Sequence, residues 1–339
     1  MIETPGPIAC FGEIVMRVSV PGGELPLQSA RFDAHVGGAE ANVAVALAAL
    51  GRRTKMISAI PEGPLGDGVL GELSRHGVDV AAVPRPVGRI GLYYHLPGGP
   101  MRPAQVVYDR AGSAFAEMRP RDWDWDRLLE GAGWLHLSGV TPALGPKSAE
   151  AALDAVTRAR AAGIGVSFDG NWRGRLWERW QPEPAAILKP IVAHATVLFG
   201  NHRDAGLLLG RAFSGDGETR RREAALGLLE AFPALEYVAS TAREIIGPDA
   251  HRLVARVDTR DEGGSTDSVL VAPVIDRVGT GDAFAAGVLD GLWAGRGLAE
   301  AARDGLSLAV LKHGIRGDFA PFSRAAVDGA SNHAQDISR

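Results

Sequence analysis

Late in the chain, Asp276-Arg277-Val278-Gly279-Thr280-Gly281-Asp282 runs directly into the apolar stretch AFAAGVLDGLW. Two glycines in such a loop permit unusual backbone angles and a close approach of the main chain to a ligand. A helix opening at the loop would aim its free N–H groups and the positive end of its dipole at an anion. Asp282 then has two readings. It can cap the helix, or it can act as general base on an acceptor hydroxyl while the surrounding amides stabilise a transferring phosphoryl group. A second glycine pair, Gly37-Gly38, precedes Ala39-Glu40-Ala41-Asn42 and a stripe of Val43, Ala46, Leu47 and Leu50. That segment is either a tight turn before a core helix or a binding turn. Asn42 lies inside the helix, where a short polar amide is unfavourable unless it faces something polar. Substrate hydroxyls would be such a partner.

These residues need a frame to hold them, and the pattern of the chain describes one. Trp134–Gly139, Gly165–Asp169, Thr196–Gly200 and Glu236–Thr241 are short apolar runs that read as buried parallel strands. Helical patterns lie between them. One carries Leu153, Val156 and Arg160 and closes at Gly163; another carries Leu226, Leu229 and Glu230 before Pro233. Strand–helix–strand alternation predicts an α/β fold with a doubly wound sheet, whose ligands bind beyond the carboxyl ends of the strands. Ser138, Asp169, Asn171, Arg173, Asn201, Asp204, Ser240, Thr241 and Arg243 all fall at such ends. Each alone can be a cap or a surface turn; their common position favours a site.

The region from Ile14 to Asp109 has a different texture. Ile14–Val20, Gly91–Leu96 and Gln105–Asp109 are β-branched and aromatic runs bounded by Gly and Pro, and read as antiparallel strands. Helical patterns at Ala41–Leu50 and Asp67–His76 interrupt them, each followed by glycine. A small sheet set into a large α/β domain suggests a lid, drawn from about residues 14–36 and 88–111. Residues from 326 onward are expected to form a C-terminal tail beyond a single domain of residues 1–325.

Composition narrows the function classes. The 339 residues are 46% hydrophobic and 22% charged, with 36 basic against 40 acidic side chains. A net charge of −4 gives no reason to expect nucleic acid or an anionic membrane as partner. No secretory leader or spanning segment is visible: Ala39–Leu50, the longest mostly apolar stretch, is too short and carries Glu40 and Asn42. A cytoplasmic location is the default expectation. The single cysteine, Cys10, reads as a small core residue, and the nine histidines show no metal-ligand spacing. The tryptophans of Asp122–Leu128 are expected to cover a sheet edge.

GGAEANVAVALAALG (Gly37–Gly51) and DRVGTGDAFAAG (Asp276–Gly287) resemble the N-terminal and C-terminal signatures of the ribokinase-like (PfkB) carbohydrate kinases. The likeness extends from Phe11 to about Phe322. It implies a ribokinase-like three-layer α/β/α sandwich with a small β-sheet lid, and transfer of the γ-phosphoryl group of ATP to a sugar hydroxyl with Mg2+, with K+ as an optional addition. By that resemblance Asp282 is the catalytic base and Gly279, Thr280 and Gly281 form the anion hole. Four further segments, GLYYH (Gly91–His95), VVYDRAGSAF (Val106–Phe115), DGNWRGRLW (Asp169–Trp177) and LKHGIRGDF (Leu311–Phe319), are similar to those of the 2-keto-3-deoxygluconate kinases. The substrate set so implied is Gly37, Gly38, Asn42, Tyr93, Tyr108, Arg110 and Arg173, with Tyr94 competing for the role of Tyr93. Arginines suit a sugar acid, because they grip a carboxylate through paired, charge-assisted hydrogen bonds.

The implied nucleotide-binding set is Asn201, Ser240, Thr241, Arg243, Lys312 and His313. Two departures from the family pattern stand out. Asn201-His202-Arg203-Asp204 has Asp where Glu is usual, so Asp204 would reach Mg2+ through water. YVASTARE (Tyr237–Glu244) lacks the usual lysine, for which Thr241 and Arg243 are the candidate replacements. The resulting expectation is an ATP-dependent kinase phosphorylating the terminal hydroxyl of 2-keto-3-deoxygluconate, working as a homo-oligomer, a dimer through the lid. The alternatives are a kinase for 2-keto-3-deoxygalactonate, fructose or ribose, and a catalytically silent sugar-acid-binding protein.

Overall fold

Central strands that are apolar on both faces must be covered on both, and this requirement sets the layers. The computed structural model describes residues 6–331 apart from 23, 29, 100, 101 and 182. In chain order the described strands are β1 (Ile8–Phe11), β2 (Val15–Ser19), β3 (Asp33–Gly37), β4 (Thr54–Ile57), β5 (Val78–Asp79), β6 (Gly91–Leu96), β7 (Gln105–Asp109), β8 (Trp134–Ser138), β9 (Gly165–Asp169), β10 (Val197–Phe199), β11 (Tyr237–Gly247), β12 (Ala250–Asp258), β13 (Gly263–Ser265) and β14 (Val269–Val271). The larger sheet runs β13-β12-β11-β10-β9-β8-β1-β4-β5, with β14 beside β12. From β11 to β5 every neighbour is parallel.

Alternation along β1 sends Ile8 and Cys10 into one core and Ala9 and Phe11 into the other. The first core is closed by helices Ala39–Ala49, Thr280–Trp293 and Leu298–His313; the second by Pro146–Ala161, Pro184–Val192 and Gly217–Ala231. The result is the expected three-layer α/β/α sandwich, with Cys10 fully buried in it. The smaller sheet, β3-β2-β6-β7, stands over the carboxyl ends as the lid.

Several expectations need correction. β2 and β6 pair in parallel, not antiparallel, because the chain returns between them through β4 and β5, and a long crossover joins parallel neighbours. The strand expected to end at Thr241 continues to Gly247 and pairs antiparallel with β12. Its second half is mostly exposed and mixes Thr241, Arg243 and Glu244 with Ile245 and Ile246, so no buried apolar run marks it. Trp123 and Trp125 do not cover a sheet edge: they pack edge-on against Phe11 of central β1, with ring centroids 5.2 and 4.9 Å away. The tail expected from residue 326 begins later. Arg324–Ser331 is helical, Val327 is fully buried, and Arg324 pairs with Asp290 and with Asp304. Residues 332–339 lie outside the described residues.

Candidate active site

Helix Thr280–Trp293 starts from Gly279, which has φ 79°. A Cβ there would come within 2.0 Å of the Asp318 carbonyl oxygen, so both the backbone angle and the packing demand glycine. Asp276 Oδ1 accepts the Val278 N–H at 3.0 Å and Thr280 Oγ1 donates to the Arg277 carbonyl at 2.9 Å, which fix the loop that presents Gly279, Thr280 and Gly281. Asp282 follows in the first helical turn and is buried. Gly279 at the N-cap has no side chain to cap the helix, and the Asp282 carboxylate turns to the Asn42 side chain.

Asn42 Nδ2 donates to Asp282 Oδ2 at 2.6 Å. The two signature segments therefore meet side chain to side chain. Burial pushes the Asp282 carboxyl up to about 7, against the pull of the Asn42 hydrogen bond and the Arg173 charge. A carboxyl poised near neutrality suits a general base. Asn42 Oδ1 is buried without a protein partner and remains able to accept from an incoming hydroxyl. The helix carrying Asn42 is itself anchored by Glu40, whose Oε1 accepts from Ser138 N, Ser138 Oγ and Thr141 Oγ1 at 2.9, 2.7 and 2.9 Å. Ser138 is thus committed to the scaffold.

A cleft of about 1610 Å³ opens between the lid and the strand ends, and Asp282 lies in its wall. Tyr93 and Tyr108 are directly paired across β6 and β7 and both line the cleft. The neighbouring Tyr94 falls on the opposite face of the strand, so of the two it is Tyr93 that faces the cleft. Tyr93 presents its ring rather than its hydroxyl, since the hydroxyl donates to Asp318. Arg110 and Arg173 line the same space. Arg110 Nε is held by Glu13 Oε2 at 2.5 Å, while exposed Arg173 donates only to the Trp172 carbonyl, at 3.2 Å. Gly38 lines the cleft, but Gly37 is a correction: it lies behind, where a Cβ would come within 2.1 Å of Asp318 Oδ2. Gly37 makes room for a carboxylate instead of touching substrate.

The other end of the cleft is lined by Asn201, Ser240, Thr241 and Arg243, as expected, and also by Arg203 and Arg277. Burial and the charges of Arg277 and Arg203 lower the Arg243 guanidinium below its ordinary range. None of these three arginines has an ion-pair partner among the described residues, which leaves an anion-shaped deficit. Arg277 stood inside the glycine-loop motif and Arg203 beside Asp204; clustering by strand end could have found both. Lys312 and His313 are corrections. Both are buried, Lys312 Nζ donates to the Ile315 carbonyl at 3.1 Å, and the His313 ring engages the Ala309 carbonyl. They support the loop from below: the His313 carbonyl accepts from Ile275 and Asp276.

Asp204 acts first as a helix partner. Asn201 caps helix His202–Leu209, and Asp204 Oδ2 accepts the Asn201 N–H at 2.8 Å. Its Oδ1 has no hydrogen bond of that kind and faces Gly170. Burial, then the charges of Asp282 and Asp204, push Asp169 well above its usual range. The mutual repulsion of these acids disfavours having all of them ionised at once. Among the described residues no cluster of three or more ligands forms a ready metal cage.

The sequence pattern described as "pfkB family carbohydrate kinase" matches residues 7–321. A relative from Haloferax volcanii, named 2-dehydro-3-deoxygalactonokinase, is 32% identical over 322 residues, 92% of each chain. One from Bacillus subtilis, named 2-dehydro-3-deoxygluconokinase, is 29% identical over 85% of this chain and 83% of its own. The crystal structure of a 2-dehydro-3-deoxygluconokinase from Thermotoga maritima superposes with a TM-score of 0.91 at 33% identity, covering 96% of this chain and 99% of that one.

Proposed function

This chain belongs to the pfkB family of carbohydrate kinases, and from that premise we propose that it transfers the γ-phosphoryl group of ATP to the terminal hydroxyl of 2-keto-3-deoxygluconate. The product is 2-keto-3-deoxy-6-phosphogluconate. The observation that carries the reading is the buried Asp282 carboxyl, raised to about 7, in one cleft that also holds Arg110 and Arg173 toward the lid and Arg203, Arg243 and Arg277 at the other end.

The chemistry follows from that layout. The acceptor oxygen attacks the γ-phosphorus, its proton passes to Asp282, and the bond to the β-phosphate oxygen breaks to release ADP. Amides of residues 279–282 stabilise the charge that develops on the transferring group. Arg203, Arg243 and Arg277 bind the remaining phosphates. Asp204, with Asp169 beside it, would hold Mg2+ through water, and that ion would supply further charge neutralisation. The lid excludes water, which limits futile hydrolysis of ATP. Arg173 and Arg110 supply charge for the substrate carboxylate. An intact base disfavours the silent binding protein.

The competing acceptor is 2-keto-3-deoxygalactonate, favoured by the name of the Haloferax relative. ADP release measured with 2-keto-3-deoxygluconate, 2-keto-3-deoxygalactonate, fructose and ribose separates the readings. The highest kcat/KM is expected with 2-keto-3-deoxygluconate; a preference for fructose or ribose overturns the sugar-acid assignment and leaves the kinase. The outer lid face carries an apolar group of Val18, Ala34, Leu92, Tyr94 and half-exposed Val107, bordered by Gln105 and Asp109, and this group supports a dimer through the lid. Val107→Glu should yield a monomer in sedimentation; an unchanged oligomer refutes that interface. ATP as donor makes the cytoplasm its working compartment.

A further inference from the structure

We propose that Arg17 is a positioning residue that latches the lid sheet to the anion-hole loop, so that a sugar under the lid tightens the phosphate site. The proposal rests on the kinase reading above. Arg17 lies in β2 of the lid, yet its guanidinium is buried and reaches into the large domain. On the lid side, Nε donates to Ser19 Oγ at 2.7 Å and Nη2 meets His95 Nδ1 of β6 at 2.9 Å. On the domain side, Nη1 donates to Asp276 Oδ2 at 2.6 Å and to Asp318 Oδ1 at 3.3 Å. A planar fork of donors can serve four acceptors at once, which a lysine cannot.

The two carboxylates pass this hold on to the catalytic loop. Asp276 Oδ1 fixes Val278, two residues from Thr280, while its Oδ2 also accepts Gly317 N at 3.1 Å. The Asp318 carbonyl is packed against Gly279, and its carboxylate accepts from Tyr93, which lines the sugar end of the cleft. Movement of β2 or β6 therefore moves the groups that shape the anion hole. Burial works to raise Asp276, but the Arg17 charge and hydrogen bond, together with the Val278 N–H and the Lys312 charge, hold the carboxyl below its ordinary range. Burial, then the Arg17 charge, keeps His95 down at about 4, so its ring is neutral and Nδ1 can accept from Arg17 at working pH. Nothing in the phosphoryl transfer itself uses Arg17 or His95. The burial of a lid arginine against two acids of the large domain is otherwise unexplained.

The latch predicts thermodynamic coupling between the two halves of the cleft. The dissociation constant of a non-hydrolysable ATP analogue is measured with and without a saturating concentration of the acceptor that the wild type phosphorylates fastest in the panel above. In the wild type the sugar should tighten the analogue by about 5- to 150-fold, the usual range of coupling between sites. Arg17→Met should reduce the ratio to near 1. Because that variant leaves two buried carboxylates short of a cation and could misfold, Ser19→Ala/His95→Leu cuts only the neutral lid-side contacts and should cut the ratio about tenfold or to near 1. His95→Gln, which keeps an acceptor, should retain it. A ratio does not depend on the active fraction, so a merely structural loss would not move it. An uncoupled wild type, or a coupling unchanged in the double variant, overturns the latch while phosphorylation of the panel sugars leaves the kinase standing. A wild type that phosphorylates none of them overturns both.

Discussion

Arg173→Leu gives the sharpest test of what the sugar end of the cleft recognises. Arg173 is exposed, follows β9, and is committed only to the Trp172 carbonyl at 3.2 Å, so its removal costs little stability. Arg110 makes a poorer probe. Its partner Glu13 has a side chain only 1% exposed, with Oε1 already unpartnered. Removing Arg110 strands that buried carboxylate at a cost of about 3–5 kcal/mol, and every substrate would suffer. For Arg173, hydrogen bonding to a charged group is worth about 1.5–3 kcal/mol, or about 10- to 150-fold in kcat/KM on a keto acid. One confounding effect has to be removed. The Arg173 charge also pulls the Asp282 carboxyl down, so its loss raises that group further and slows all substrates near neutral pH. The assay is therefore run at pH 8.5, where the base is ionised in both proteins. There Arg173→Leu should lower kcat/KM for 2-keto-3-deoxygluconate by the stated factor and leave residual turnover of fructose within about threefold, the spread expected of a lost weak contact. Equal losses on acid and neutral sugar at that pH would refute carboxylate recognition by Arg173.

Asp282→Asn should lower kcat by at least about 100-fold with sugar binding kept within a few-fold, because the amide still hydrogen-bonds but cannot take a proton; near-normal turnover removes Asp282 from the mechanism. Since the base must be ionised and its carboxyl is raised to about 7, wild-type kcat/KM should fall as pH drops below 7 and level off above it. Asn42→Ala removes the hydrogen bond that lowers that value, so the acid limb should move to higher pH; an unmoved limb assigns the titration to another group. Asp204→Ala and Asn201→Ala break the same cap and should lower the melting temperature alike, but only Asp204→Ala should raise the Mg2+ concentration for half-maximal rate; equal Mg2+ curves reduce Asp204 to a helix partner.

What the sequence disclosed follows from how local each signal is. The loop Asp276–Asp282 and the segment Gly37–Asn42 are contiguous, and each carries its own backbone requirement, so their roles were legible before their meeting was. The parallel core was legible because its strands are apolar on both faces. β12 to β14 were not, because half of β11 is exposed and its partners pair by register rather than by hydrophobicity. Lys312 and His313 were misread as ligands because charged residues near a motif look available. Their helical spacing from Leu308 and Ala309, at i+3 and i+4, already put them on the buried face. Arg17, Asp276 and Asp318 lie far apart in the chain, and no local pattern pairs a lid arginine with two distant acids.

The two departures from the family pattern look different once the charges have positions. A lysine missing from β11 would leave the phosphate end short of one cation if that strand were its only source. Instead Arg243 comes from β11, Arg203 from the helix after β10 and Arg277 from the glycine loop itself, and the first of these is depressed by burial and then by the charges of the other two. Like charges held together in this way are mutually destabilising unless an anion joins them, so the deficit works in favour of a polyphosphate. Asp204 follows the same logic with the sign reversed. The shorter side chain accepts the Asn201 N–H through Oδ2, and burial pushes the Asp169, Asp204 and Asp282 carboxyls all upward, so on the proposed reading a bound cation would favour their ionised forms. On the proposed reading, a polyphosphate carrying a metal ion would meet the arginine wall and the carboxyl wall of one cleft together, so neither departure would remove the chemistry proposed for Asp282.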